Sequence, residues 1–214
     1  MHSDLIESHK SKLRLTDRQR EIIVGKLLGD GHLETQNKGK TYRLKIEHSI
    51  KQKEYVDWLY CEFKEWVLTA PQTKIQLLNS KPYVKYWFNT LSHSGFRFYA
   101  QQFYQNRKKR VPKLIHHWLT PLVLAIWFMD DGSIKSKDHK ARIINTQAFS
   151  KNDVSELIMA LKKCFDLNCK LRKQKEGYQI MILAESADRF AQIIKRFILP
   201  TMMYKIKELG NINA

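Results

Sequence analysis

Cysteines, acidic residues and long apolar runs are scarce in this chain, and each shortage removes a class of protein. Three cysteines, Cys61, Cys164 and Cys169, do not make a disulfide framework. The spacing of Cys164 and Cys169 suggests a metal-binding pair, but no second pair exists, so packed reduced thiols are expected. No apolar run approaches the ~18 residues that cross a bilayer, and no segment reads as a secretory signal. An intracellular location is expected, with mitochondrion and chloroplast both open because a processed transit peptide leaves no trace. The shortage of acid is the most telling. Lysine and arginine number 38 against 21 aspartates and glutamates, leaving a formal charge of +17. A charge that large points to a polyanion, most commonly nucleic acid. It also argues against a neutral sugar substrate, so two carboxylates in one site are not read as a glycosidase pair.

What the chain does have is a repeated device. Val123 to Met129 is an apolar run that closes on Asp130, Asp131 and Gly132. Thr120 and Pro121 in front read as an N-cap and a first-turn proline, and Gly132 reads as the stop. The helix is expected to be buried on all sides and to deliver Asp130 and Asp131 at its C-terminal end. That end is the negative pole of the helix dipole, where a carboxylate is disfavoured unless a cation compensates. A bound metal ion would compensate. Ile22 to Gly31 repeats the pattern: an apolar run closes on Asp30 and Gly31, with Thr16 and Gln19 spaced as a capping box. The two motifs lie roughly a hundred residues apart, close to half the chain, which marks an internal repeat. The repeat continues when Tyr42 to His48 is aligned with Ala141 to Gln147. Gly25 and Gly29 stack on one helix face, so a second backbone, that of the other motif helix, is expected against them.

After each motif the period changes from helical to two. In the first half, strands over His32–Thr35 and Thr41–Ser49 flank a turn containing Asn37 and Gly39. Tyr42, Leu44 and Ile46 alternate with Arg43, Lys45 and Glu47. A helix with Tyr55, Trp58, Leu59, Phe63 and Trp66 on its inner stripe follows. Two more strands, Thr73–Leu78 and Tyr83–Asn89, place Lys74 and Lys85 on the sheet, and a short helix runs from Ser94 to Tyr104. The densest basic cluster, Arg107 to Arg110, is the kind of run that is usually only a solvated linker, but here it sits between two candidate DNA-binding halves. The second half repeats this order: strands Ser133–Lys135 and Ala141–Ala148 flank a basic turn, Lys137 to Lys140, and a helix capped by Ser150 and Asp153 follows. Strands Asn168–Gln174 and Tyr178–Ala184 and a last helix complete it. Lys170, Arg172 and Gln174 alternate along one face, as a ribbon in a major groove requires. Residues 1–14 lack periodicity and are expected to form a loose arm.

Taken together, the paired Asp-Gly motifs, Asn145-Thr146-Gln147, Leu167-Asn168-Cys169 and the Pro200 to Lys205 segment resemble a single-chain, two-motif LAGLIDADG homing endonuclease over roughly residues 15 to 207. The resemblance implies an α+β fold of two pseudo-symmetric αββαββα halves, 15–112 and 113–207. Each half carries a four-stranded antiparallel sheet, and together they form a DNA-binding saddle with the motif helices at its centre. It implies metal-dependent cleavage of both strands of a long asymmetric DNA target, with Mg2+ (or Mn2+) held by hard oxygen ligands. The last acid of each motif, Asp30 and Asp131, is then the metal ligand, with backbone oxygens of Gly29 and Asp130 completing the set. Lys109 and Lys205 fall on the family's active-site lysines. Gln147 falls on its solvent-organising glutamine, matched in the first half by His48 or, more weakly, Lys45. The expected DNA contacts are Arg43, Lys45, His48, Lys74, Lys85, Lys108, Arg110, Arg142, Lys170 and Arg172. A monomer is expected, since one chain supplies both halves. Two rival readings use the same fold: a maturase acting on host intron RNA, and a DNA-binding regulator that has lost cleavage.

Overall fold

The computed structural model describes residues 2–78, 81–136 and 139–206. The chain forms two compact units. The first comprises residues 1–23 and 30–101; the second comprises 24–29 and 102–214. The last residues of the first motif helix thus belong with the second unit, whereas the sequence divides its halves at 112.

The first unit begins with α1 (His2–Lys12), where a loose arm was expected. Two features order it. Asp4 in the first turn and Lys10 and Lys12 in the last suit the helix dipole, and the His9 ring bonds the Glu65 carbonyl at 2.7 Å. Helix α2 (Asp17–Leu28) starts at the expected capping box, with Thr16 N donating to Gln19 Oε1 and Gln19 N to Thr16 Oγ1, both at 3.1 Å. Strands β1 (His32–Glu34) and β2 (Arg43–Ser49) form a hairpin, and α3 (Lys53–Glu62) packs Tyr55, Val56 and Leu59 inward. Phe63 and Trp66 extend that buried stripe, while Trp58 is half-buried. Strands β3 (Gln72–Leu78) and β4 (Lys81–Asn89) complete an antiparallel sheet of order β1-β2-β4-β3. Their turn includes Asn79 and Ser80, which lie outside the described residues. Helix α4 (Arg97–Phe103) closes the unit and runs into the next.

The second unit opens with a surprise. The basic cluster is a hairpin, β5 (Tyr104–Gln105) paired with β6 (Lys108–Lys109), turned by Asn106 and Arg107 at φ 50° and 64°. Two consecutive left-handed residues give the turn that matches strand twist. Helix α5 (Pro121–Asp131) begins where expected, Thr120 Oγ1 accepting from Val123 N at 3.2 Å, and buries every residue from Leu122 to Met129. An all-apolar helix has no solvent face, so only burial on all sides stabilises it. Strands β7 (Gly132–Ser136), β8 (His139–Asn145), β9 (Cys169–Gln174) and β10 (Gly177–Ile182) form a sheet of order β7-β8-β10-β9, the order of the first sheet. Lys137 and Asp138 of the expected basic turn lie outside the described residues. Helix α6 (Lys151–Phe165) carries the expected capping box of Ser150 and Asp153. Helix α7 (Ala184–Ile194) packs Phe190 on Phe128 with ring centroids 4.8 Å apart.

Gly25 and Gly29 meet α5 as expected. A Cβ on Gly25 would stand 2.6 Å from Ile126 Cβ and 2.9 Å from the Val123 carbonyl, and one on Gly29 would stand 2.6 Å from Asp130 Cβ. Only glycine permits these approaches. Cys164 is half-buried with Sγ donating to the His116 carbonyl, and burial pushes the Cys169 thiol up to about 12. Both are inert packed thiols; Cys61, by contrast, is exposed.

Candidate active site and nucleic-acid interface

Both motif helices end against a lysine. Lys109 Nζ donates to the Gly29 carbonyl at 2.7 Å. Lys205, 8% exposed, donates to the Met129 carbonyl at 2.5 Å and reaches the Asp130 carbonyl at 3.4 Å. An ammonium at a helix C-terminus satisfies carbonyls that have no partner within the helix and offsets the negative pole. The cation expected there is therefore supplied in part by the protein itself.

Asp130 and Asp131 have separate environments. The Asp130 carboxylate pairs with Lys26 Nζ at 2.7 Å, both side chains 0% exposed. Lys26 sits one residue after Gly25 on the face that meets α5, so the close helix approach is what makes this buried pair possible. The Asp131 carbonyl accepts from Asn145 Nδ2 at 3.1 Å, and Asn145 Oδ1 accepts from Gln179 Nε2 at 2.6 Å. Gln147 lies just beyond, half-buried in the turn after β8, with Gly177 at φ 141° backed against its Cα. Asn145 and Gln179 are thus the amides ordered around the motif end; Asn145 stood in the family pattern without a role, and Gln179 was not singled out by sequence.

In the first unit Asp30 follows α2 with its side chain 50% exposed, and His48 Nδ1 lies 3.7 Å from Asp30 Oδ2. His48 is 2% exposed, bonded to Gln52 Oε1 at 3.1 Å and tilted on the Tyr55 ring. It is not an exposed DNA contact, as was expected; it faces the core side of β2 and backs the motif acid. A groove of ≈ 530 Å³ opens here, lined by Asp30, Lys45, Glu47, His48, Gln76 and Lys85 among others.

The polar face of the first sheet follows from its register. Glu34 lies opposite Arg43, His32 opposite Lys45, Glu47 opposite Trp87, and Lys74 opposite Lys85. Arg43, Lys45, Lys74 and Lys85 share this face. Unexpectedly, each is held by an acid. Glu34 accepts from Arg43 Nη2 at 2.8 Å, Arg43 Nε at 3.1 Å and Lys45 Nζ at 3.2 Å. Glu47 accepts from Lys85 Nζ at 2.5 Å and also contacts Lys74. Burial opposes ionisation of Glu34, but the hydrogen bonds from Arg43, His32 and Lys45 outweigh it and hold the carboxyl at about 2. Glu47 is likewise lowered, burial again being outweighed by Lys74 and Lys85.

The second sheet differs. Lys170 and Arg172 are exposed on the face that carries Gln179 and Asn145. Arg142 is not there. It is 3% exposed on the core face, beside Ile144 in the strand, and bonds the Ile206 carbonyl at 3.1 Å and the Lys140 carbonyl. The cause is a slip of one residue. His32 pairs with Lys45 and Ser133 with Ile143, so Lys45 corresponds to Ile143 and Glu47 to Asn145. Aligning Arg43 with Arg142 is off by one, which turns every side chain to the opposite face. In the β5–β6 hairpin Lys108 is exposed, whereas Arg110 is pinned by the Gln102 carbonyl at 3.0 Å.

Comparison with known proteins places this architecture. The model of the LAGLIDADG DNA endonuclease family matches residues 20–190. The chain belongs to that family. It is 32% identical to the DNA endonuclease I-ChuI of Chlamydomonas applanata, over 93% of this chain and 98% of that one. It is 31% identical to the cytochrome b mRNA maturase bI2 of Saccharomyces cerevisiae, over 89% of this chain but 47% of the maturase. Among solved structures, that of the homing endonuclease I-WcaI bound to its DNA recognition sequence superposes with a TM-score of 0.90 at 27% identity, covering 95% of this chain and 92% of that one. Within this family fold the residues that sequence missed are Lys26, Glu34 and Gln179. Only Glu34 left a trace, as an acid opposite arginine in a hairpin; the other two depend on contacts between elements far apart in sequence.

Proposed function

We propose that this chain is a homing endonuclease that cleaves both strands of a long asymmetric DNA site by metal-dependent phosphodiester hydrolysis. One observation carries the reading: each motif helix ends in an acid, Asp30 or Asp131, and in each case a lysine ammonium docks on the carbonyls of that same helix end. A structural cap explains a lysine or an acid alone. Their recurrence at both motifs, on a chain of charge +17, suits a phosphodiester substrate.

The donor set fits a hard divalent cation. Asp30 is half exposed, and Gly29 and Asp130 present carbonyl oxygens at the motif ends. Asp30 in the first unit and Asp131 in the second are each the carboxylate that would hold Mg2+ or Mn2+, the Gly29 and Asp130 carbonyls being further oxygen donors of the second unit. Bound there, such an ion would supply polarisation of the phosphoryl group and stabilisation of the leaving 3′-oxygen. The chain's own groups do the rest. Lys109 and Lys205 bring positive charge to the phosphate, and Asn145, Gln179 and Gln147 order solvent in the second unit. His48 takes that place in the first. Asp130 is neutralised by Lys26 and serves packing. Arg43, Lys45, Lys74, Lys85, Lys108, Lys170 and Arg172 face the duplex. The enzyme acts as a monomer inside the compartment that holds its target gene. The second-half motifs suggest further kinship with the omega-intron endonuclease I-SceI.

The test is cleavage of plasmids carrying the uninterrupted form of the flanking gene, in magnesium, with chelator and calcium controls. Asp30→Asn and Asp131→Asn should each lower double-strand cleavage by roughly three orders of magnitude, several kcal/mol of lost transition-state stabilisation, while gel-shift binding in calcium persists. Wild-type rates in either variant would refute the assignment. A second reading, assistance of intron RNA splicing, is favoured by the likeness to the yeast maturase. Splicing of the host intron by Asp30→Asn protein, which cannot cleave, separates the two.

A further inference from the structure

The proposed cleavage chemistry makes no use of the acids on the first sheet's polar face, yet they sit among its basic residues. Glu34 and Glu47 are partly buried, and each bridges two cations from neighbouring strand positions. Lys74 and Lys85 are directly opposed across β3 and β4, an arrangement that destabilises a sheet unless an anion lies between them. Four cations on this face therefore act with the net charge of two. In the second sheet the register position of Glu47 is Asn145, and no carboxylate lies within ion-pair distance of Lys170 or Arg172 among the described residues.

A duplex presents two kinds of group to such a face. Phosphates attract free cations regardless of sequence, whereas base edges in the major groove carry distinct donor and acceptor patterns. A phosphate approaching Arg43 or Lys85 meets a carboxylate held against the same cation and is repelled. An amino group of cytosine N4 or adenine N6 meets an acceptor, and a guanine edge meets a guanidinium already oriented. Arg43 spends Nε and Nη2 on Glu34, which fixes the plane and direction of its remaining edge. Each acid thus weakens what is common to all DNA and rewards particular bases.

We propose that Glu34 and Glu47 are specificity-determining residues, which restrain the basic side chains of the first sheet from phosphate and set its preference for base pairs bearing a major-groove amino donor. This rests on the DNA-endonuclease reading. It differs from a purely structural role, in which the acids only relieve repulsion between lysines.

The experiment uses the full chain with Glu34→Gln, Glu47→Gln and the double variant. Glu156→Gln, an exposed acid on α6, controls for net charge. Wild-type protein selects its sites from a randomised duplex library in calcium. Each variant is then measured on the selected duplex and on an unrelated duplex, across a salt series, with circular dichroism to confirm folding. Each acid removed should steepen the slope of log K against log salt on the unrelated duplex by about 0.9. Specificity for the selected duplex should fall about tenfold per acid, the ~1–3 kcal/mol scale of one base contact, with base preference lost at positions read by the first sheet. Unchanged preference in folded variants, with or without a lower melting temperature, would leave only the structural role and overturn the inference. So would an equal change in Glu156→Gln. Failure of the wild type to select any duplex would instead remove the endonuclease reading, and this inference with it.

Discussion

The two sheets have one topology and opposite electrostatic characters. On β2 the outward residues are Arg43, Lys45 and Glu47, tied to Glu34, Lys74 and Lys85; at the matching register of β8 stand Ile143 and Asn145. The only arginine of β8 is turned inward to hold the carbonyl of Ile206. The first sheet is a lattice of ion pairs, and the second carries exposed Lys170 and Arg172 among neutral amides. Duplicated folds diverge most easily in this way. The backbone order is fixed by the core, while a face that meets only solvent or ligand is free to change. The motif ends show the same asymmetry, since Gly29 of the first stands where the second has Asp130, the acid paired with Lys26.

The largest effect expected from breaking this asymmetry is at that pair. Lys26→Met leaves the Asp130 carboxylate buried without its ammonium, and removing one partner of a buried pair costs about 3–5 kcal/mol. Urea denaturation should show a loss of that size. The double variant Lys26→Met/Asp130→Leu should recover most of it, because a well-packed apolar pair of similar volume replaces the ions at little cost. A double variant no more stable than the single would mean that the pair is not the principal interaction of either group.

The motifs, the strand and helix order and the capping boxes were legible because each is local: a Thr with Gln three residues on, a Ser with Asp, an apolar run that ends in Gly. Register was not. Nothing within residues 139–149 tells that the alignment to 40–50 slips by one, because Ile143 and Ile144 are adjacent and each frame sets one of them on a core residue of β2, and Arg142 was assigned to the wrong face as a result. The acids Glu34 and Glu47 read as ordinary solvated charges until pairing across strands placed them on Arg43 and Lys85. Lys109 and Lys205 were proposed from the family pattern alone, and the carbonyls they bind emerge only from the folded chain. The helical order of residues 2–12 was missed for a similar reason, since its anchor, the Glu65 carbonyl, is remote in sequence.

Arg43 and Arg142 sharpen the contrast at an intermediate scale. Arg142→Met strands the buried Ile206 carbonyl, at about 1–3 kcal/mol for a buried acceptor left unsatisfied. Its melting temperature should fall, with duplex affinity unchanged once the protein is folded. Arg43→Met removes one part of a half-buried, solvent-screened pair and should cost about 1 kcal/mol, yet alter which sequences are bound. The opposite pattern, a stable Arg142→Met that binds DNA poorly, would restore Arg142 to the interface.

The smallest effect is the pH dependence of the first sheet. Glu34 has its carboxyl held at about 2 against 4.5 for an unperturbed glutamate, through the hydrogen bonds from Arg43, His32 and Lys45 that overcome its burial. A carboxyl whose folded value is depressed stabilises the fold above its unfolded value, and that contribution is lost as the pH falls towards the folded one. Its window is therefore about pH 4.5 down to 2. Because Glu34 remains partly open to solvent, screening keeps the contribution below about 1 kcal/mol. Other acids titrate over the same range, so the quantity to measure is the difference in urea midpoint between wild type and Glu34→Gln. That difference should be constant above pH 5, shrink through the window and diminish further in high salt. The second sheet has no ionised counterpart at the matching position, and there Asn145→Asp sets a carboxyl against the Asp131 carbonyl, which favours the protonated form and should introduce a pH dependence of the opposite sign. A difference that grew as the pH fell would mean that Glu34 is stabilised in its protonated form, and that the lattice of the first sheet is not ionic.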